Sequence, residues 1–195
     1  MEISSAQIKE LRDKTGISVM QCKKALEEAA GDMDKALIIL KKKRSEAADK
    51  KADRELGAGV IGVYTHNTNE VAAMVFLACE TDFVSKNEEF IALAREIAMH
   101  VAAMSPKYIS RDEVDETAIE KAREVFQTEI ADKPADMQEK IMEGKLSSYF
   151  KEQILSEQPF VKNPDTTIGE MVTGAVQKFG EKVTIEKIER MSIKG

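Results

Sequence analysis

Val71-Ala72-Ala73-Met74-Val75-Phe76-Leu77-Ala78-Cys79 is the longest apolar run in the chain, and it leads into Glu80-Thr81-Asp82-Phe83-Val84-Ser85-Lys86-Asn87. A short apolar run bounded by turn-forming residues reads as a largely buried strand. It is too short to span a bilayer, which takes about 20 residues. Helical spacing begins directly after it, with Phe90, Leu93, Ala94, Ile97, Ala98 and Val101 on one face. Ser85-x-x-Glu88 supplies a capping box for that helix and Pro106 a stop. The junction therefore hands a strand to a helix that must lie on a sheet. Connections of this kind run over the surface and often carry function. Phe83, an aromatic beside an acid, reads from pattern alone as a core residue.

Upstream, Val60-Ile61-Gly62-Val63-Tyr64-Thr65-His66 is rich in β-branched residues, and Asn67-Thr68-Asn69 reads as a turn. Together with residues 71–79 they predict a hairpin. Val183-Thr184-Ile185-Glu186 alternates and predicts a third strand. Ile188 then falls on the opposite parity from Val183, Ile185, Met191 and Ile193, and a bulge near Lys187 would restore one face. Downstream, Ser110-x-x-Glu113 opens a helical region with the stripe Ile119, Ala122, Phe126 and Ile130. Lys133-Pro134 breaks the chain, and Met137, Ile141, Leu146 and Phe150 continue in a second helix with a disturbance at Gly144. Two helices joined by a short turn predict an antiparallel helical hairpin at about 112–152. Thr167-x-x-Glu170 then caps a short helix bearing Met171, Val172, Ala175, Val176 and Phe179, ended by Gly180.

The first fifty residues predict three short helices. Ser4-x-x-Gln7, Ser18-x-x-Gln21 and Asp32 are the starts, and Gly16 and Gly31 the stops. Ile8 and Leu11, then Cys22, Ala25, Leu26 and Ala29, then Met33, Ala36, Leu37 and Leu40 each form one apolar face. The result is a small bundle similar to ubiquitin-associated domains. Met20 points away from its core face, with Lys23 and Lys24 beside it. This is either a solvated face carrying a stray methionine or a docking patch, since Met and Arg are enriched in interfaces. Lys41–Arg44 and the alanine-and-charge stretch 45–55 read as an exposed helix tail or a flexible linker. The expected class is α+β. Residues 1–53 form the helical domain, and 54–195 form a core with a three-stranded antiparallel sheet, packed helices and the hairpin.

Of the 195 residues, 33% are charged and 43% apolar, with a formal net charge of −6. That balance argues against a general nucleic-acid binder, whose affinity rests on neutralising phosphates. Met1-Glu2-Ile3-Ser4-Ser5 lacks a charged leader and an apolar signal region, which sets cytoplasmic as the expectation. Cys22 and Cys79 are widely separated and read as small core residues. No Gly-x-x-x-x-Gly-Lys-Ser/Thr loop occurs, and two His and two Cys, far apart, offer no metal site. Cys79 has no histidine base near it in sequence, and His100 borders a helix stripe with no catalytic role. No cofactor and no covalent chemistry are expected.

Two stretches carry a resemblance. Thr81-Asp82-Phe83-Val84 is similar to the Thr-Asp-Phe-Val motif of the elongation factor Ts family. Leu11-Arg12-Asp13-Lys14-Thr15-Gly16, Cys22-Lys23-Lys24-Ala25-Leu26 and Gly31-Asp32 resemble that family's N-terminal signature, and Gln158-Pro159-Phe160-Val161 matches a further run. Two departures stand out: Gln21, where the family often has Asp, and Phe76-Leu77-Ala78-Cys79, where many relatives have Glu-x-Asn-Cys. The resemblance implies a guanine-nucleotide exchange factor that binds the GTPase elongation factor Tu, both GDP-bound and nucleotide-free. It implies docking through Arg12, Val19, Met20 and Lys23, and disturbance of the partner's Mg²⁺ site by Thr81, Asp82, Phe83 and Val84. It also carries a contact onto His66 and implies that 112–152 is a coiled-coil module. Direct nucleic-acid and membrane contacts are not implied. A small sheet with one helix layer leaves edges or a face to cover, and the resemblance implies a homodimer. The competing expectation is a monomer with the hairpin folded over the sheet. A docking adaptor of the ubiquitin-associated kind, without exchange activity, is the alternative function.

Overall fold

Ser4 starts the first helix by both halves of a capping box with Gln7, and the computed structural model describes the chain from there outward over residues 3–131 and 134–194. Met1 and Glu2 of the N-terminal reading, and Lys133 of the predicted break, lie outside the described residues. Helix α1 (Ser5–Thr15) ends at Gly16, whose φ of +68° is a left-handed stop that glycine adopts without strain. Helix α2 (Val19–Glu28) begins where the Ser18 hydroxyl accepts from the Gln21 N–H, and α3 (Met33–Asp49) where the Asp32 carboxylate accepts from Lys35. Leu11, Cys22, Ala25, Leu26, Ala36 and Leu40 form the buried centre, as their spacing predicts, and Ile17 in the α1–α2 turn joins them.

Two details of this unit depart from the sequence reading. Only the Ser18 half of the second capping box forms, because the Gln21 side-chain oxygen accepts from Gln177 Nε2 at 3.0 Å. The basic run is helical, and Arg44 within it is not a solvated charge. Its Nε donates to Gln177 Oε1 and its Nη2 to the Thr15 carbonyl, at 3.2 and 2.5 Å. Residues Met1–Glu55 and Thr173–Val183 make up this unit, with Ala175 and Val176 buried.

The other unit comprises Leu56–Val172 and Thr184–Gly195. Its elements in chain order are β1 (Ala58–Thr65), β2 (Val71–Cys79), α4 (Asp82–Ser85), α5 (Glu88–Met104), α6 (Glu116–Ile130), α7 (Ala135–Lys151), β3 (Pro159–Phe160) and β4 (Asn163–Thr167). Helix α8 (Ile168–Phe179) and β5 (Val183–Ser192) follow. The main sheet has the order β1-β2-β5 and is antiparallel. Asn69, with φ +58°, makes the β1–β2 turn at the predicted place.

Side-chain alternation assigns the two faces. Gly62 faces Val75 across the ladder, and a Cβ on Gly62 would lie 2.3 Å from the backbone of Ala94 on α5. Glycine is therefore what lets α5 sit directly on β1. Phe90, Ala94, Ile97, Ala98 and Val101 are buried on the helix, as predicted, and Ala73, Val75 and Leu77 on β2. The opposite face carries the cross-strand pairs Ile61–Phe76 and Val63–Met74, all four exposed. In β5, consecutive exposed residues Glu186 and Lys187 mark the predicted switch of parity. It leaves Ile188 half-buried but Met191 and Ile193 exposed, not on the core face.

The helical hairpin forms as a closed insertion. Lys107 N–H donates to the Gln153 carbonyl and Leu155 N–H to the Tyr108 carbonyl, at 2.9 and 2.8 Å. Arg111 and Glu157 form a two-pronged ion pair at 2.7 and 2.6 Å, which holds the Glu157 carboxyl below its ordinary range. The sequence reading places the caps wrongly. Asp115, not Ser110, caps α6, and residues 111–113 form a single 3₁₀ turn. Met137 is half-exposed, while Met142 fills the core with Ala122, Ile130, Leu146, Phe150 and Ile154. Gly144 leaves α7 unbroken. Strands β3 and β4 form a small ladder that the sequence reading lacks. Thr167 and Glu170 form the predicted reciprocal cap at 3.1 and 3.2 Å.

Candidate functional site

Strand β2 ends at Cys79, and the next residues turn once through α4 before α5 begins. The four residues of the Thr81 motif divide between support and display. Val84 is buried at 3% exposure and pins the turn, while Phe83 is 83% exposed. The core reading of Phe83 is thus corrected, for a physical reason. In a one-turn helix only one side faces the core, and Val84 occupies it. An exposed phenylalanine forgoes about 2 kcal/mol of burial. The turn itself is well braced: Cys79 Sγ donates to the Thr81 carbonyl at 3.2 Å, and Ser85 Oγ to the Asp82 carbonyl at 3.1 Å. Ser85 therefore does not cap α5, and Asn87 does, accepting from the Glu89 N–H at 2.9 Å. Asp82 is exposed and pairs with Lys86 at 2.6 Å, and that hydrogen bond holds its carboxyl below the ordinary range.

On α2, Val19, Met20 and Lys23 are all exposed, and their i, i+1, i+4 spacing groups them along one flank of the helix, with Met20 turned most directly away from Cys22, Ala25 and Leu26. Met20 is 69% exposed. Lys23 pairs loosely with Glu27 at 3.8 Å. Arg12 is exposed on the last turn of α1.

His66 stands apart from the Thr81 motif. It lies in the β1–β2 turn, where its Nδ1 contacts Thr68 Oγ1 at 3.1 Å and its ring meets Tyr64 edge-on. The length of β2 separates it from Thr81 by about 30 Å, at roughly 3.3 Å per residue. His100, at the border of the α5 stripe, is fully buried. Its Nδ1 accepts from the Val161 N–H at 3.2 Å and its Nε2 faces Gln158 Oε1 at 2.9 Å. Burial pushes its pKa down, which keeps the ring neutral as that pairing requires. It braces α5 against the β3 segment. The sequence signal for it is the polar pair His100 and Gln158, which lie 58 positions apart.

Among the described residues no three His, Cys, Asp or Glu side chains gather as metal ligands. No described helix is long and apolar enough to cross a membrane. Both candidate sites are protruding side chains on braced turns and helices, with apolar groups facing outward. They are carried on a framework of the α+β class.

Comparison with known proteins makes that class specific. Residues 48–194 match the family described as Elongation factor TS. The Elongation factor Ts of Carboxydothermus hydrogenoformans is 45% identical over 193 residues, covering 98% of this chain and 89% of the relative. That of Thermodesulfovibrio yellowstonii is 44% identical over 194 residues, covering 99% and 97%, and that of Fervidobacterium nodosum is 44% identical over 195 residues, covering 99% of both. The chain belongs to the elongation factor Ts family. It is a translation elongation factor, with its place in protein biosynthesis.

Proposed function

We propose that the protein binds elongation factor Tu, GDP-bound and nucleotide-free, and promotes release of GDP and its replacement by GTP. The observation that carries this reading is Phe83, 83% exposed on a turn pinned by buried Val84. A rigid apolar projection is suited to entering a partner. Phe83 is the wedge, Thr81 and Asp82 hold the displaced segment beside it, and the Mg²⁺ and nucleotide site of the GTPase is disturbed. Arg12, Val19, Met20 and Lys23, in the helical domain of residues 1–53, supply an anchor common to all states of the partner. The core that carries the Thr81 turn supplies the difference between those states, and His66 touches the partner at a separate place. No covalent step is involved and no cofactor is used. The protein acts in the cytoplasm without direct contact to nucleic acid or membrane.

Exchange of this kind is differential binding. The factor weakens GDP by the same ratio that GDP weakens the factor. A 10⁴-fold weakening requires about 5.5 kcal/mol of preference for the emptied GTPase. Stopped-flow release of labelled GDP from purified elongation factor Tu tests the reading. The expected result is release that accelerates with factor concentration and saturates. An unchanged release rate would leave a docking adaptor in its place.

The working form is a homodimer. The exposed pairs Ile61–Phe76 and Val63–Met74 give the sheet an apolar outer face, which supports this. A second copy covers such a face with the same side chains, and twofold pairing is the commonest association of identical chains. Light scattering at micromolar concentration is expected to give about twice the chain mass of 21.7 kDa. A fully active species at the single-chain mass would exclude the dimer.

A further inference from the structure

We infer that Gln177 is a positioning residue for docking on the partner and that it acts through Gln21 and Arg44; this rests on the docking role proposed for α2. Gln177 is half-buried on the part of α8 that belongs with residues 1–55. One side-chain amide there makes two bonds of opposite sense. Its Oε1 accepts from Arg44 Nε at 3.2 Å and its Nε2 donates to Gln21 Oε1 at 3.0 Å. Guanidinium has donors only, so Arg44 dictates which way the amide faces. The amide then presents its N–H groups to Gln21, which must answer with its oxygen. Gln21 is thereby withdrawn from the capping box of its own helix. The same Arg44 donates through Nη2 to the carbonyl of Thr15, the last residue of α1.

Both sides of the α1–α2 turn are thus fastened to one residue, Thr15 before Gly16 through Arg44, and Gln21 after Ser18 directly. Val19 and Met20 lie between the two fastenings, and Lys23 is half a turn beyond. None of the four residues that would touch the partner bonds Gln177. Its contribution is to hold the turn in the docking orientation before contact. Without it the turn must be ordered on binding, which weakens association and leaves the wedge untouched.

The test is GDP release from elongation factor Tu as a function of factor concentration, using the full chain and Gln177→Ala. The concentration for half-maximal stimulation is expected to rise about fivefold, with the saturated rate unchanged. An unchanged thermal midpoint beside that split separates positioning from partial loss of fold, which would also raise the half-maximal concentration. Combining Gln21→Ala with Gln177→Ala is expected to cost no more than the larger single effect, because both remove one bridge. Gln177→Met, which keeps the length of the side chain and loses both its acceptor and its donor, is expected to match Gln177→Ala, and it serves if the alanine variant fails to fold. An unaltered half-maximal concentration, a fall confined to the saturated rate, or additive single effects would overturn the inference. A parent chain that does not stimulate release overturns the docking reading, and this inference with it. A working parent beside an unaltered Gln177→Ala overturns this inference alone.

Discussion

Phe83→Ala is expected to slow stimulated GDP release from elongation factor Tu by about tenfold or more, equivalent to at least about 1.4 kcal/mol of lost transition-state preference. The variant is expected to stay folded, with an unchanged thermal midpoint. The side chain it removes is 83% exposed, and Val84 and the Cys79–Thr81 hydrogen bond that hold the turn remain. Asp82→Ala is the companion. Its carboxylate pairs with Lys86 in open solvent, where screening leaves little energy, so its effect is expected to be smaller than that of Phe83. Normal exchange by Phe83→Ala would remove the wedge from the mechanism. Loss of fold would mean that the turn depends on Phe83 after all.

Gly62→Ala is expected to have the largest effect on stability. The added methyl would meet the carbonyl carbon and oxygen of Ala94 at 2.3 Å and the Arg95 nitrogen at 2.8 Å. These are backbone atoms and cannot rotate away, so α5 must lift from the strand. Overpacking a core costs 1–3 kcal/mol and occasionally more, so about 3 kcal/mol is expected here. For a chain of this size that lowers the thermal midpoint by about 10 °C. Differential scanning calorimetry reads it directly. An unchanged midpoint would mean that the helix does not rest on β1 at Gly62.

The sequence discloses the regular parts of this fold because each is written over several turns or a full strand. The α5 stripe from Phe90 to Val101 and the run from Val71 to Cys79 are long enough for periodicity to identify element and face together. What it hides is short or distant. The single turn of α4 contains no period, so nothing in the pattern distinguishes Phe83 from Val84. Competing caps are equally mute. Ser85 and Asn87, or Ser110 and Asp115, each stand two to five positions apart, and only the path of the chain selects between them. Met137 and Met142 differ in burial because α7 packs on α6 with a rotation that a list of apolar residues does not contain. Gln21 and Gln177 are separated by 156 positions, and no local rule pairs them. The docking residues follow from likeness of motif alone. The exposure of Met20 agrees with the outward direction its spacing gives, whereas that of Phe83 overturns the reading from pattern.

The stitched base of the hairpin also has an evolutionary consequence. Residues 107–111 and 153–157 are joined by backbone hydrogen bonds and by the Arg111–Glu157 pair, so the chain leaves the body of the fold and returns at one point. Everything between is a cassette. Doubling the length of a closed loop costs only about 0.6 kcal/mol in closure entropy. Whole helical turns can therefore be gained or lost at the far end without moving a strand. The hairpin is free to diverge in length and surface while the sheet, α5 and the Thr81 turn stay fixed.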